Sequence, residues 1–287
     1  MSVSVLTLVR GRERHLLNLM RSLELQSCLP KELVIAWMQD LPFENLPALP
    51  FPVRNVFVAG NDLPLAKARN AAAAVASGEN LVFLDVDCIA SPTMVAAYEF
   101  AMRENDGIFL SEVYYLPADA PGYTGDCAVL DRVGEPHVSK LRFPLQGIEE
   151  EPDGGQLWGL SFALRKAAWQ AIGGMDEQFF GYGGEETDFA ASAARAGYKT
   201  YRVGQARVYH QHHSISIPPM HHFKHIVRNA QLFRAKHGRW CMDYWLGQFR
   251  EAGLVRWDER GDSLSILRQP DAAEIFAAQQ PGNVLYS

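Results

Sequence analysis

The 287-residue sequence contains no apolar run near the ~18 residues that a membrane-spanning helix needs, so no spanning segment is expected. Cysteine is sparse: Cys28, Cys88, Cys127 and Cys241 are widely scattered, with neither a paired metal spacing nor a dense disulfide framework. That usage suits a reducing compartment. Positive charge is also short, with 27 Lys and Arg against 33 Asp and Glu and a formal charge of −6. The balance argues against nucleic-acid binding driven by phosphate neutralisation. The N-terminus enters a strand pattern at once, without the basic-then-apolar order of a signal segment. These gaps predict a cytoplasmic globular protein that touches a membrane peripherally at most. The length suffices for one large domain or two small ones with a substantial core.

What is present is an alternation of strand and helix. Val3 to Val9 reads as a strand, and Leu16, Leu19, Met20 and Leu23 then recur at helical spacing. Leu33 to Met38 and Val53 to Val58 are further strands, separated by a proline-marked loop. Pro64 opens an alanine-rich helix that Gly78 is placed to cap. Leu81 to Leu84 is a short strand apolar on both faces, and Ser91-Pro92 starts the next helix. Ile108 to Tyr115, Trp158 to Leu164 and Tyr201 to Tyr209 carry strand-forming residues, with helices expected over Lys166 to Ile172 and Phe189 to Ala196. This order predicts an α/β fold with a Rossmann-like, mostly parallel sheet flanked by helices. From Leu116 to Gln156 prolines and glycines interrupt any period, which suits either a lid or acceptor-side loop or a surface insertion. Two amphipathic segments ending at Gly238 and Gly253 follow, then a short strand pair and a polar tail.

Three clusters can carry chemistry. Asp85 and Asp87 fall where the Leu81–Leu84 strand should end, the edge at which open α/β sheets bind ligands. Two carboxylates that close favour a hard divalent cation, although an acidic turn that merely ends a strand is an even alternative. Glu185, Glu186 and Asp188 follow Gly181-Tyr182-Gly183-Gly184 at the start of a helix. The helix dipole alone accounts for acidic residues there, but not for glycines that let a ligand approach the backbone. Seven of the nine histidines lie between His210 and His237. His221, His222 and His225 are assigned to exposed or hydrogen-bonded roles. The chain lacks His-Glu-x-x-His and any nearby cysteine pair, which weakens a zinc reading.

Taken in order, Arg10-Gly11-Arg12, Ala68-Arg69-Asn70, Phe83-Leu84-Asp85-Val86-Asp87, Gly183-Gly184-Glu185-Glu186 and Tyr209-His210-Gln211 resemble the family-2 glycosyltransferases of GT-A fold. The second half resembles the motif shared by β1,4-galactosyltransferases and bacterial chondroitin polymerase. The resemblance implies a GT-A domain over residues 1–237. Within it, 1–115 form the nucleotide-sugar half, 116–156 a long loop and 157–237 the acceptor and catalytic half. Residues 238–287 then form a C-terminal helix and tail packed on the domain. It implies a metal-dependent, inverting hexosyl or N-acetylhexosaminyl transfer from a nucleotide sugar, with UDP expected, to a hydroxyl of a glycan or other acceptor, as in polysaccharide biosynthesis.

The implied roles are specific. Leu8 (through its backbone), Arg10 and Asp40 line the nucleotide pocket, and Arg69 reaches the diphosphate or donor sugar. Asp85 serves the ribose or a metal-bound water, and Trp158 and Gly184 also face the nucleotide sugar. Asp87 and His210 ligate Mn2+ or Mg2+, with His212 and His213 as alternatives to His210. Glu186 matches the general-base position and Glu185 holds sugar hydroxyls, the two being interchangeable on sequence alone. This chain departs from the galactosyltransferases at Tyr182, where they carry Trp, and at Glu186 and Thr187, where Asp is common. A non-transferring sugar-binding protein on the same fold is the competing expectation. A sugar nucleotidyltransferase is disfavoured, because Arg10-Gly11-Arg12 supplies no glycine-rich phosphate loop.

Overall fold

Alternation of side chains along the first strand sets the layers. In the computed structural model, which describes residues 2–60 and 62–286, β1 (Val3–Val9) sends Val3, Val5 and Val9 into one core and Leu6 and Leu8 into another. A strand buried on both faces needs helices on both sides of its sheet. The chain continues through α1 (Glu13–Glu24), β2 (Glu32–Trp37), β3 (Val53–Phe57), α2 (Leu65–Val75), β4 (Asn80–Leu84), β5 (Cys88–Ala90), α3 (Met94–Glu104) and β6 (Ile108–Tyr115). Then come α4 (Ala128–Val133), β7 (Glu135–Pro136), β8 (Ile148–Glu150), β9 (Ser161–Arg165), α5 (Lys166–Ile172), α6 (Glu185–Arg195) and β10 (Thr200–His210). The last part holds α7 (Phe223–His237), α8 (Asp243–Glu251), β11 (Val255–Trp257), β12 (Leu264–Ile266) and α9 (Ala272–Ala277).

The main sheet has the order β3-β2-β1-β4-β9-β6-β10-β5, with β7 added to β6 and β8 to β10. β3, β2, β1, β4, β6 and β10 point one way, and β9 runs against them between β4 and β6. The sheet is therefore mixed but mostly parallel, and the carboxyl ends of β1, β2, β4, β6 and β10 share one edge. α1 and α3 pack on one face through Leu16, Leu19, Met20, Met94 and Tyr98. α2, α5 and α6 cover the other through Ala68, Ala72, Trp169 and Phe189. The small side chains of α2 let its axis approach the sheet closely. A third core, built from α7, α8, the β11–β12 hairpin and α9, holds Phe223, Ile226, Leu246 and Phe249.

Several local expectations need correction. α2 stops at Val75 with Ala76 after it, so Gly78 is no cap. Instead its backbone lies against β1, where an added Cβ would stand 2.6 Å from Ser4 Oγ. The stretch 116–156 is not structureless, for it contains α4, β7 and β8; the two short strands take their order from pairing with β6 and β10. β9 begins at Ser161, which leaves Trp158 in the loop before it. The tail contains α9, closed by a reciprocal capping box between Asp271 and Glu274. All four cysteines are free. No helix among the described residues is long and apolar enough to cross a membrane.

Candidate active site

Pairing register brings the first cluster together. β10 lies between β6 and the short β5, so that His210 is opposite Tyr115 on one side and Cys88 on the other. Cys88 directly follows Asp87, and Gln211 N–H donates to the Asp87 carbonyl at 2.7 Å. His210 Nε2 lies 3.6 Å from Asp87 Oδ1, and His213 Nε2 lies 3.6 Å from Oδ2. One donor atom from each of Asp87, His210 and His213 falls within 4.8 Å of the others. His212 is absent from that cluster. Arg12, in left-handed backbone just before α1, places its guanidinium on Asp87 Oδ2. Burial alone would raise the Asp87 carboxyl, but His210, Arg12 and His213 hold it well below the usual carboxylate range. Burial, with Arg12 nearby, lowers His213 to about 4, so its imidazole is neutral and has a lone pair to donate at neutral pH.

These residues fit a divalent cation. One ionised carboxylate and two imidazoles converge, a donor set suited to a divalent ion. The Tyr115 ring adjoins His210 at 5.1 Å, and Tyr286 from the C-terminal tail lies 5.1 Å from Tyr115.

The second cluster surrounds Arg69. α2 carries this arginine into the interior, where it is 1% exposed. Its Nη2 lies 3.0 Å from Glu186 Oε1 and 3.4 Å from Asp85 Oδ1, and its Nη1 lies 3.5 Å from Glu185 Oε1. Three carboxylates around one guanidinium leave an excess of negative charge. Burial, reinforced by Asp87 and Glu186 and opposed by Arg69, pushes Asp85 up to about 7. Burial and Glu186 likewise raise Glu185 well above the ordinary range. The Glu185 side chain is 3% exposed and that of Glu186 18%, so Glu186 is the one that can meet a ligand. Gly159 lies over this pair, and any Cβ there would overlap Glu186 Oε1 and Arg69 Nη2.

The turn before α6 is held from behind. Gly181, Gly183 and Gly184 all have positive φ, and Gly184 at 94° occupies the position ahead of Glu185. Asn229 of α7, fully buried, donates through Nδ2 to the carbonyls of Phe180 at 3.1 Å and Gly183 at 2.7 Å. Asp188 is gripped by Lys236 at 2.9 Å and His237 at 2.7 Å. Tyr182 stacks on His222 with centroids 4.3 Å apart, so that histidine is not merely exposed.

The structure thus brings Asp85, Asp87, Arg69, Glu185, Glu186, Gly184 and His210 to one edge of the sheet. Leu8 is 6% exposed and packs in the core, which leaves only its backbone for a ligand. Arg10 and Asp40 are exposed just beyond the carboxyl ends of the paired strands β1 and β2. Asp40 forms no ion pair with the two clusters among the described residues. The Trp158 ring faces the 136–143 segment, with Lys140 Nζ 3.5 Å from its centroid, while its neighbour Gly159 faces Glu186. His213, an alternative to His210 in the sequence-based reading, stands beside it in the cluster. Arg12, Asn229 and Gly159 have no role in that reading, and of these three only Arg12 left a trace there, in the Arg10-Gly11-Arg12 triplet.

Sheet order, the acidic turn after β4 and the glycine-acidic start of α6 define the GT-A glycosyltransferase fold. Residues 148–226 match the family model described as the N-terminal domain of galactosyltransferase. Among solved structures, Staphylococcus aureus TarS 1-349 is similar with a TM-score of 0.53 at 16% identity, over 82% of this chain and 66% of that one. The same protein is also known in complex with UDP-GlcNAc, with a TM-score of 0.54 at 15% identity, over 82% and 67%. GalNAc-T7 with UDP, GalNAc and Mn2+ is similar with a TM-score of 0.56 at 14% identity, over 87% of this chain and 56% of that one. The chain therefore spans about two thirds of TarS 1-349 and just over half of GalNAc-T7. No curated protein matches the chain by sequence.

Proposed function

We propose that the protein is a metal-dependent, inverting glycosyltransferase that uses a UDP-sugar and a glycan or other hydroxyl acceptor, with Glu186 as general base. The observation that carries this reading is the meeting of two clusters at one edge of a GT-A fold, an Asp-His-His set and a buried Arg69 with Glu185 and Glu186. Similarity to a UDP-GlcNAc complex and to one with UDP, GalNAc and Mn2+ supports the donor and the ion.

Asp87, His210 and His213 would hold Mn2+ in preference to Mg2+, since two of three donors are imidazoles. When bound, the cation supplies Lewis-acid stabilisation of the departing diphosphate. The remaining tasks belong to side chains. Glu186, partly exposed, accepts the acceptor hydroxyl proton as the oxygen attacks the anomeric carbon from the face opposite the diphosphate. Arg69 aims that carboxylate through the ion pair at 3.0 Å. Glu185, buried and favoured in its protonated form, can donate to a sugar oxygen. Leu8 backbone, Arg10 and Asp40 are assigned to the uridine side, beyond β1 and β2.

The test is release of UDP from UDP-GlcNAc and UDP-GalNAc, with and without added acceptor sugars and Mn2+. Turnover that requires Mn2+ and fails in Glu186→Gln supports the proposal. Full turnover by Glu186→Gln removes the base assignment, and nucleotide-sugar binding without any hydrolysis or transfer favours a non-transferring protein.

A further inference from the structure

A cavity of ≈ 250 Å³ between β6 and the 136–143 segment is left unused by the roles assigned so far. Its position ties it to the reaction. Tyr115 on its wall adjoins His210, and Trp158 on its wall is the neighbour of Gly159, whose backbone rests on Glu186 and Arg69. Tyr115 and Trp158 are thus the residues that join the cavity to the two clusters.

Its chemistry is one-sided. His137, Lys140 and Arg142 line it, and its one acidic lining residue, Glu112, is already held by Arg207 at 2.6 and 2.9 Å. The Lys140 ammonium donates to the Gln156 carbonyl and lies over the Trp158 ring, neither of which carries a negative charge. Burial, against the pull of Glu151 and Asp153, brings Lys140 down to about 7. An anion in the cavity would supply the missing countercharge. Arg142 makes no hydrogen bond or ion pair among the described residues, and its forked donors suit a carboxylate or phosphate. The rings of Trp158, His137 and Tyr115 line the cavity with apolar surface of the kind that takes the C–H face of a sugar, with His137 perpendicular to Trp158 at 4.7 Å and Tyr286 packed on His137 at 4.0 Å.

We propose that this cavity is an acceptor subsite for an anionic sugar or polyol, whose carboxylate or phosphate is held by Lys140 and Arg142 while a nearby hydroxyl is presented to Glu186. The inference rests on the transferase reading and adds the charge of the acceptor to it.

Calorimetric titration of the whole protein, saturated with UDP and Mn2+ so that the donor phosphate pocket is filled, tests it. The probes are glucuronic acid, glycerol 1-phosphate and neutral glucose. At least one anionic probe should bind about tenfold or more tighter than glucose, as expected for charge-assisted hydrogen bonds. Preference between the two anions distinguishes a carboxylate from a phosphate source. The Lys140→Gln/Arg142→Gln variant should lose the preference, and Lys140→Arg/Arg142→Lys should keep most of it, with thermal melts establishing that each variant is folded. Equal binding of all three probes overturns the subsite, as does anion binding unchanged in the folded Gln variant. Failure to bind UDP with Mn2+ in the first step would instead remove the transferase reading on which the subsite depends.

Discussion

The two ionisable clusters at the sheet edge carry opposite imbalances. Asp87 is one carboxylate among Arg12, His210 and His213, whereas Arg69 is one guanidinium among Asp85, Glu185 and Glu186. Arg12 and the two imidazoles hold Asp87 below the usual carboxylate range in spite of its burial. Surplus acid does the reverse, pushing Asp85 and Glu185 toward their protonated forms. Residues of one chemical type, a short distance apart, are thereby suited to different tasks. The first cluster can bind a cation, and the second can move a proton.

Removing the proton acceptor should break this division most severely. Glu186→Gln is expected to lower the transfer rate by about 10²–10⁴-fold, the range for general-base catalysis, with little change in UDP affinity measured by calorimetry. Next comes Arg69→Ala, which strands three carboxylates around an empty space. Loss of one partner from a buried ion pair costs about 3–5 kcal/mol, so a fall of that size is expected in urea unfolding at pH 7. On the other cluster, Asp87→Asn or His210→Ala should weaken Mn2+-dependent UDP binding by about tenfold or more. His213→Ala should resemble them, while His212→Ala should leave binding intact.

Asn229→Ala probes what aims the base rather than the base itself. It removes two buried hydrogen bonds to the glycine turn, at a cost of about 1–3 kcal/mol. Its signature should be a lower kcat with KM for the donor nearly unchanged. Glu185→Gln gives the smallest effect and a signed pH dependence. The folded pKa of Glu185 is raised above its unfolded value, so the stability it contributes is present below the unfolded pKa and lost as pH rises through the folded one. Glutamine does not titrate. The variant should therefore gain on the parent protein as pH increases from 4 toward 8, measured by denaturation at each pH.

How much of this could be read in advance divides along the same lines. Leu81–Leu84 is legible because burial on two faces leaves an unbroken apolar run, and Val3–Val9 because only Ser4 and Thr7 interrupt one. β7 and β8 span two and three residues, too few for a period, and exist because long strands accept them at their edges. In the site, Asp87, Glu186 and His210 stand in compact motifs. Arg12 stands in a triplet that gives it no role and Asn229 in no motif, for they act across 75 and 46 residues of chain on Asp87 and Gly183. Contacts at such separation depend on which strands are neighbours, and local spacing carries no record of that. Gly159 was invisible for another reason: its role is the space that it leaves for Glu186 and Arg69.

A crystal structure of the protein with UDP and Mn2+ would test the central claim most directly. The account predicts an ion bound by Asp87 and His210, the diphosphate beside it, and the Glu186 carboxylate facing the anomeric position on the opposite side. An ion or nucleotide bound away from the carboxyl edge of the sheet, with Glu186 turned from it, would contradict that account.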